Sequence, residues 1–402
     1  MAKADIDGPL RGVRVIELAH ILAGPVCGLM LADMGAEVIK VERIPDGDTS
    51  RRMEPPKING ESAAFMIMNR GKRGIAVDLK TEDGKEVMRR LLADADVVVE
   101  NYRAGTMDAL GLGYDTLKLA NPRLVYCAIS GFGRTGPLAD MGGFDLVAQG
   151  MSGLMSITGE GPGRPPIKVG SPIADITAGL LAALGIVAAL NSARQTGRGQ
   201  VVDTSLFEAG IIHTYWQSAI CMATGRSPGP MGSAHPLNSP YQAFPTSDGW
   251  ITVGAPTQPN WLRLVDALGA PHLAEDPRYR ENAGRMSHLA ELDADLSVYF
   301  RRRATAEWLA ILDAAAIPAG PVLSIAEMHA HPQTLARNMV FELDHPVAGR
   351  TGAIGLPIKF SETPGGAATP APTFGQHTGE VLSELGYSAA EVDRMRTGGG
   401  VA

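Results

Sequence analysis

The 402-residue sequence is poor in cysteine and lacks a long uninterrupted apolar stretch. Its three cysteines, Cys27, Cys127 and Cys221, form no CxxC motif or Cys/His cluster, which argues against a disulfide framework and a zinc site. No apolar run reaches the roughly 18 residues of a membrane span, and the longest, residues 178–190, contains two glycines. No basic segment followed by an apolar one marks a leader. We therefore expect a cytoplasmic protein.

The sequence also lacks an excess of positive charge. Lysine and arginine number 36 against 43 aspartates and glutamates, so the formal net charge is −7. This balance argues against a nucleic-acid-binding protein, because such proteins neutralise phosphates with many cations. Hydrophobic residues make up 45% of the chain, which is enough for a buried core and excludes a disordered chain. The composition is that of a globular protein, and its size alone favours an enzyme.

Short β-branched runs alternate with helical patterns over the first 130 residues. The predicted strands are residues 13–18, 37–42, 75–79, 97–100 and 124–130. Thr81 is a predicted helix cap, since Glu82 and Asp83 follow it in the first turn. Strands separated by helix-length connections predict an α/β fold with a parallel sheet covered on both faces.

The second half of the chain has a different pattern. A long apolar helix is predicted over residues 174–196, followed by a strand at 201–205 and a helix at 206–224. The Gly-, Pro- and Ser-rich residues 225–240 are typical of a domain boundary. A strand and several amphipathic helices beyond it indicate a smaller α+β domain. The predicted division is residues 1–226, 227–330 and 331–402.

Residues 131–136 (GFGRTG) match the GxGxxG pattern after a predicted strand. A dinucleotide site needs the last glycine at a helix start, where backbone amides face the pyrophosphate. Gly136 leads instead into PLADMGGFD, which is a poor helix opening. A nicotinamide-dependent oxidoreductase is therefore only a minor alternative, although a Gly-rich loop at a strand end remains a good place for a ligand.

Basic residues gather near the ends of predicted strands: Lys40, Arg43, Lys72, Arg73 and Arg103. The cluster NRGKR at residues 69–73, taken alone, is typical of a solvated turn. Open α/β sheets bind ligands at the carboxyl ends of their strands. The group therefore suggests a ligand that carries several phosphates.

Two further residues stand at the edges of predicted elements. Asp175 lies at the start of the long apolar helix, where its carboxylate is expected to cap the backbone N–H groups. A carboxylate held and kept ionised in this way can also serve as a nucleophile. His20 follows the first strand, and a loop role is favoured over that of a catalytic base.

Ten segments in a fixed order resemble the class III CoA-transferase family, of the CaiB/BaiF type. This family includes formyl-CoA transferase, dicarboxylate CoA-transferases that use succinyl-CoA, and α-methylacyl-CoA racemase. The segments are PLRGVRVIEL, AGPVCGLMLADMGAEVIKVERIPDGD, NRGKRGIAVDLK, VVVENYRAGTMDALGLGYDTL, NPRLVYCAISGFGRTGP, GFDLVAQGMSGLMSITG, IADITAGLLAALGIVAAL, TGRGQVVDTSLFEA, IPAGPV and GQHTGEVLSELG.

The resemblance implies an interlocked homodimer whose Rossmann-like large domain is built from both chain ends, with the small domain between them. It implies acyl-CoA and a carboxylic acid as substrates, with no metal or prosthetic group. By the same resemblance Asp175 is the nucleophile that forms an aspartyl-CoA thioester. The implied CoA contacts are His20, Ile21, Leu22, Ala23, Arg43, Lys72, Arg73, Asn101, Tyr102 and Arg103.

Departures from the family pattern narrow the activity. The racemases carry a His-Asp pair where this chain has Phe144-Asp145, and a Glu in a segment that here reads GAPTQP at residues 254–259. Proton exchange at an α-carbon needs a base on each face, so racemase activity is the weaker alternative. A non-catalytic CoA-binding protein is another. Formyl-CoA transferases carry a Gln near the position that Leu22 holds in this chain, so oxalate is disfavoured as a substrate. Succinyl-CoA with a small dicarboxylate is the first hypothesis.

Two groupings complete the expected site. The glycine-rich residues 131–136 and 152–153 are candidates for the backbone donors that stabilise an oxyanion. His20, Arg73 and Arg134 are candidate positive groups for a second substrate carboxylate.

Overall fold

The computed structural model describes residues 7–54, 56–366 and 369–402. Its strands are β1 (Arg14–Glu17), β2 (Glu37–Glu42), β3 (Lys57–Ile58), β4 (Glu61–Ser62), β5 (Arg73–Ala76), β6 (Val97–Glu100), β7 (Val125–Ser130), β8 (Val201–Ser205), β9 (Tyr241–Pro245), β10 (Trp250–Gly254), β11 (Ala319–Pro321), β12 (Val340–His345) and β13 (Gly349–Ile354).

The α-helices of the same residues are α1 (Ala23–Asp33), α2 (Ala63–Asn69), α3 (Glu82–Ala93), α4 (Thr106–Ala109), α5 (Tyr114–Ala120), α6 (Asp145–Met151), α7 (Leu154–Ile157), α8 (Ile173–Thr196), α9 (Leu206–Ile211), α10 (Tyr215–Thr224), α11 (Gln258–Ala267), α12 (His272–Glu275), α13 (Asn282–Ser287), α14 (Leu289–Phe300), α15 (Thr305–Ala314), α16 (Ile325–Ala330), α17 (Pro332–Ala336), α18 (Thr378–Glu384) and α19 (Ala389–Thr397). Short 3₁₀ turns occupy Thr49–Arg52 and Ile212–Thr214.

The chain divides into two compact units. The first comprises Met1–Gly153, Val169–His213 and Pro332–Ala402, and the second comprises Leu154–Lys168 and Thr214–His331. The division differs from the predicted boundary at 226/227 because the expected helix over 206–224 is interrupted. The 3₁₀ turn at Ile212–Thr214 separates α9 from α10, and the units divide within that turn.

The first unit is built on a six-stranded sheet in the order β5-β2-β1-β6-β7-β8. Each neighbouring pair is parallel, so the predicted α/β fold with a parallel sheet is confirmed. Successive strand residues face opposite sides. Val15 accordingly packs with α1 and α8, whereas Ile16 packs with α3 and the C-terminal helices.

The long helix α8 lies against the first of these faces. Its buried residues are mainly small: Ala174, Ala178, Gly179, Ala182, Ala183, Ile186, Ala189, Leu190 and Ala193. A Cβ on Gly179 would lie 2.5 Å from the carbonyl oxygen of Ala23, so only glycine permits the close approach to α1. By length and composition alone α8 could cross a membrane, contrary to the expectation that no stretch reaches that length. A buried core helix has the same properties.

The second unit contains a three-stranded antiparallel sheet in the order β11-β10-β9. Its core is aromatic, and Phe244 and Phe300 stack with ring centroids 4.8 Å apart. Arg285 is fully buried and donates to the carbonyl oxygen of Ser239 at 2.6 Å.

Four charged side chains form a buried ion cluster at the end of β1 in the first unit. The ammonium of Lys40 lies 2.9 Å from Glu17 and 2.8 Å from Asp48, and that of Lys72 lies 2.8 Å from the other oxygen of Glu17. These side chains are at most 1% exposed. Because an uncompensated charge in such a place is very unfavourable, each member depends on the others.

The first prediction concerns this cluster. Replacement of Glu17 by Gln leaves two buried ammonium groups short of negative charge, and we expect the free energy of unfolding to fall by about 3–5 kcal/mol. Urea unfolding measures this loss. The matched control is Glu342→Gln, which removes an exposed pair with Arg350 and should cost less than about 1 kcal/mol. Equal losses in the two variants would contradict the importance of the buried cluster.

Candidate active site

The strand order reverses between β1 and β6, and the loops after these two strands border a crevice. Such a switch point is the usual ligand site of an open parallel sheet. The side chain of Asn101 joins the two loops. Its Oδ1 accepts from the backbone N–H of His20 at 3.0 Å, and its Nδ2 donates to the carbonyl oxygen of His20 at 2.9 Å.

A cleft of about 230 Å³ opens at this point of the first unit. Its walls include most of the predicted CoA contacts together with the predicted nucleophile: His20, Ile21, Leu22, Ala23, Asn101, Tyr102, Arg103 and Asp175. A smaller pocket of about 60 Å³ shares His20 and Tyr102 with the cleft and includes Arg43. The structure thus brings together residues from four separate parts of the sequence. Among the described residues, no group of three or more potential ligands is arranged to hold a metal ion.

Lys72 and Arg73 are the two predicted CoA contacts that the structure brings neither to the cleft nor to the adjoining pocket, and their assignment is corrected. The ammonium of Lys72 is buried in the ion cluster, where burial lowers its pKa to about 8 although Glu17 opposes the shift. Arg73 begins β5 and pairs with Glu37 at 2.9 Å, Glu380 at 3.0 Å and Glu384 at 2.9 Å. Neither side chain is free to bind a phosphate.

None of the three candidate cations for a second carboxylate offers a free positive charge to the cleft. Arg73 has the partners just described, and Arg134 lies 2.5 Å from the buried Glu100. Burial lowers the pKa of His20, so its ring is neutral near pH 7. Of the basic residues predicted at the site, Arg103 lines the cleft with an exposed side chain, and Arg43 lines the smaller pocket.

The loop after β1 has a strained backbone. Ile21 has a φ of 65°, a conformation that β-branched residues rarely adopt. The N–H of Ile21 donates to Asp48 of the ion cluster at 3.1 Å. Such strain persists only where the surroundings determine the conformation. The ion cluster therefore shapes the wall of the cleft.

Asp175 is not the N-cap that its position predicted. Helix α8 starts at Ile173, so Asp175 is its third residue, and Pro172 at the cap position has no side-chain hydrogen bond. The cap is supplied by Asp145, whose Oδ1 accepts from the N–H of Ala174 at 2.9 Å and of Asp175 at 3.4 Å. The carboxylate of Asp175 is left facing the cleft.

The environment of Asp175 favours the protonated acid. Burial, and then the nearby charge of Asp145, raise the pKa of Asp175 to about 7. The expectation that the helix start keeps this carboxylate ionised is therefore wrong. The raised pKa makes the ionised form a stronger base, which is a useful property in a nucleophile that works near neutral pH.

Of the two predicted oxyanion loops, the one at residues 131–136 reaches the cleft through Gly131. A Cβ on Gly131 would lie 2.7 Å from the backbone of Gly143, so two backbone segments meet closely on the cleft wall. Ser152 lies instead against α9, since a Cβ on Gly210 would be 2.4 Å from its Oγ.

The sequence did not predict the roles of Asp145 and Gln149 beside Asp175. Gln149 is fully buried and donates from Nε2 to Asp145 Oδ2 at 2.7 Å. The only signal was an acid and an amide four residues apart, which is the spacing of neighbours on a helix. The irregular segment before Asp145 concealed the start of α6.

Known proteins resemble the chain over nearly its whole length. The profile of CoA-transferase family III matches residues 10–378. A succinate–glutarate CoA-transferase of Agrobacterium fabrum is 42% identical over 383 residues, which are 94% of this chain and 96% of the relative. A succinyl-CoA:glutarate CoA-transferase of Mus musculus is 36% identical over 400 residues, which are 99% of this chain and 92% of the relative. The crystal structure of a CaiB/BaiF family protein from Brucella suis has a TM-score of 0.83 at 40% identity and covers 94% of this chain and 99% of its own.

The chain belongs to CoA-transferase family III. It is an enzyme of that family, a class III CoA-transferase that acts on an acyl-CoA, as the ten sequence segments predicted. The mixed α/β fold with its central parallel sheet matches the solved CaiB/BaiF structure.

The second prediction follows from the raised pKa of Asp175. Asp175 loses its proton near pH 4 in the unfolded chain but only near pH 7 in the folded protein. The free energy of unfolding therefore falls as the pH rises from 4 to 7, and above pH 7 this loss stays constant. We expect Asp175→Asn to stabilise the protein above pH 7 by up to about 4 kcal/mol and not at pH 4. Unfolding at both pH values measures this, with Asp140→Asn on the same cleft wall as the control. A gain that does not depend on pH would contradict the prediction.

Proposed function

We propose that the protein transfers CoA from succinyl-CoA to a small dicarboxylic acid through an aspartyl-CoA thioester on Asp175. The observation that carries the proposal is the position of the Asp175 carboxylate. It lies on the wall of the cleft that His20, Asn101 and Tyr102 also line, at the carboxyl ends of β1, β6 and β7.

The first half of the reaction loads CoA onto the enzyme. An oxygen of the Asp175 carboxylate attacks the thioester carbonyl of succinyl-CoA, the C–S bond breaks, and a mixed anhydride and CoA thiolate form. The thiolate then attacks the Asp175 carbonyl of the anhydride. The C–O bond breaks, which releases succinate and leaves the aspartyl-CoA thioester.

The second half runs the same steps in reverse with another acid. The acceptor carboxylate attacks the aspartyl-CoA carbonyl and expels CoA thiolate. The thiolate attacks the acceptor carbonyl of the new anhydride, which frees the Asp175 carboxylate and gives the product acyl-CoA. Because CoA stays bound between the steps, its thiolate acts at a high effective concentration.

The cleft offers suitable surroundings for these steps. Its raised pKa of about 7 lets Asp175 lose its proton near neutral pH. Backbone N–H groups around Gly131 and Gly143 are assigned to the oxyanions, since the two segments meet on the cleft wall. Arg103 in the cleft and Arg43 in the adjoining pocket are assigned to the CoA phosphates, where charge-assisted hydrogen bonds are strong.

The choice of substrates is supported by relatives. Proteins named as succinyl-CoA:glutarate, succinyl-CoA–D-citramalate and succinyl-CoA:mesaconate CoA-transferases are 36–38% identical to this chain. The donor is the same in all three names, and the acceptors are different dicarboxylic acids. Succinyl-CoA and glutarate are therefore the first pair to test.

Phe144 supports transfer over racemisation. Its side chain lines the cleft and is 73% exposed. A phenyl ring cannot donate or accept a proton, whereas racemisation needs a base on each face of the α-carbon. At position 144 the cleft wall therefore carries a side chain that cannot serve as the base which the racemases have there.

We further propose that two chains form the interlocked homodimer of the family. Apolar side chains exposed in the single chain support this proposal. Leu180 and Leu184 lie one turn apart on α8, and Leu184 is 67% exposed. Helix α10 has no buried residue, and even its large apolar side chains are exposed, Trp216 by 57% and Met222 by 88%. Such surfaces are typical of protein interfaces.

The third prediction tests the nucleophile. Asp175→Ala should lower CoA exchange from succinyl-CoA to labelled glutarate below a few per cent of wild type, while CoA still binds. Incubation of wild type with succinyl-CoA alone should add CoA at Asp175, as detected by peptide mass spectrometry.

Asp140→Ala is the control for this prediction, because Asp140 is another acid on the same wall. It should retain most of the exchange. Full activity in Asp175→Ala would exclude the aspartyl-CoA intermediate. Binding of CoA without any exchange in wild type would indicate the alternative, a CoA-binding protein without catalysis.

The fourth prediction tests the dimer. Interlocked chains cannot separate without unfolding, so native mass spectrometry at nanomolar concentration should still detect the dimer. Leu184→Glu should reduce the amount of soluble dimer. Leu119→Glu, which changes an exposed leucine outside α8 and α10, should leave that amount unchanged. A folded monomer on dilution would contradict interlocking.

A further inference from the structure

The first turn of α8 is held by a side chain from another helix. The first backbone N–H groups of a helix lack partners within the helix. Asp145, the first residue of α6, accepts from two of them with one oxygen, namely those of Ala174 and Asp175. The residue that carries the proposed nucleophile is therefore bonded through its own backbone to Asp145.

The other oxygen of Asp145 is fixed as well. It accepts from Nε2 of the buried Gln149 at 2.7 Å. Oε1 of Gln149 accepts from the N–H of Val169 at 2.9 Å, and its Nε2 lies 3.4 Å from the carbonyl oxygen of Ser171. Both the chain that leads into α8 and the first turn of α8 are thus tied to α6.

Asp145 does not line the cleft, so it has no direct part in the chemistry. We propose that Asp145 is a positioning residue that holds the carboxylate of Asp175 in its attacking orientation. The inference rests on the proposed role of Asp175 as nucleophile. A displacement of about 1 Å at such a group can lower a rate by two orders of magnitude.

The charge of Asp145 supplies a second effect that a mere structural support would lack. Burial and this charge together raise the pKa of Asp175 to about 7. Other titratable groups beside α8 are Cys27, Asp33, Tyr126, Cys127, Asp203, Glu208 and His213. Those on the cleft wall are His20, Tyr102, Arg103 and Asp140. Within the described part of the chain, Asp145 is the charged neighbour that acts on Asp175.

Two variants separate position from charge. Asp145→Asn keeps an oxygen that can cap α8 and removes the charge. Asp145→Ala removes both. The readout is the rate of CoA addition to Asp175 from succinyl-CoA, measured across pH by peptide mass spectrometry with the full-length protein.

We expect a wild-type midpoint near pH 7, set by ionisation of Asp175. Asp145→Asn should lower the midpoint by roughly half to one pH unit, since a like charge is removed. Asp145→Ala should shift it similarly and lower the plateau rate at high pH by about tenfold or more. Binding of CoA should be unchanged in both variants.

Glu391→Gln is the matched control. Glu391 Oε2 accepts from the N–H of Ser388 at 2.7 Å in the cap of α19, away from the cleft. It should leave midpoint and plateau unchanged. Wild-type midpoints and plateaus in both Asp145 variants would overturn the inference, and an unmoved midpoint in Asp145→Asn does so even if Asp145→Ala fails to fold. Absence of any adduct at Asp175 in wild type would instead refute the proposed nucleophile.

Discussion

The cleft depends on the buried pairing of Glu17 with Lys40 and Lys72. These charges sit where β1 ends, and they satisfy the backbone of the loop that follows: Lys40 donates to the carbonyl oxygen of Ala19, and Lys72 to that of Pro25. Asp48 accepts from the N–H of Ile21. A loop with a strained residue is stable only where so many bonds determine its path. The ion cluster therefore converts the end of a strand into one rigid wall of the cleft.

Two aspartates in the first unit show how position sets the role of one side chain. Burial alone would raise the pKa of Asp48, but the ammonium of Lys40 beside it lowers that pKa to about 2. Asp175 is partly buried with no cation paired to it among the described residues, and burial and the charge of Asp145 raise its pKa to about 7. The first is a permanent anion that stabilises the fold. The second changes charge near neutral pH, and such divergence of like groups is typical of active sites.

Local sequence patterns predicted much of the sheet and less of the site. The runs at 37–42, 97–100 and 201–205 are strands at the predicted residues, because short β-branched runs between turn residues are a local signal that can be found in the sequence. Lys72 and Arg43 looked alike in sequence, yet one is fully buried and the other lines a pocket. The cap by Asp145 joins residues 29 positions apart, and no local pattern contains such a contact.

Two aspartates at the start of α8 divide capping from the proposed reactivity. An aspartate that capped its own helix would have its oxygens bonded to N–H groups, which stabilise the ionised form and reduce its basicity. Asp175 lies in the first turn of the helix and not at its cap, and Asp145 makes those bonds instead. The negative cap opposes ionisation of the acid that it positions. Some stability is thereby lost at the very residue on which the proposed covalent step depends.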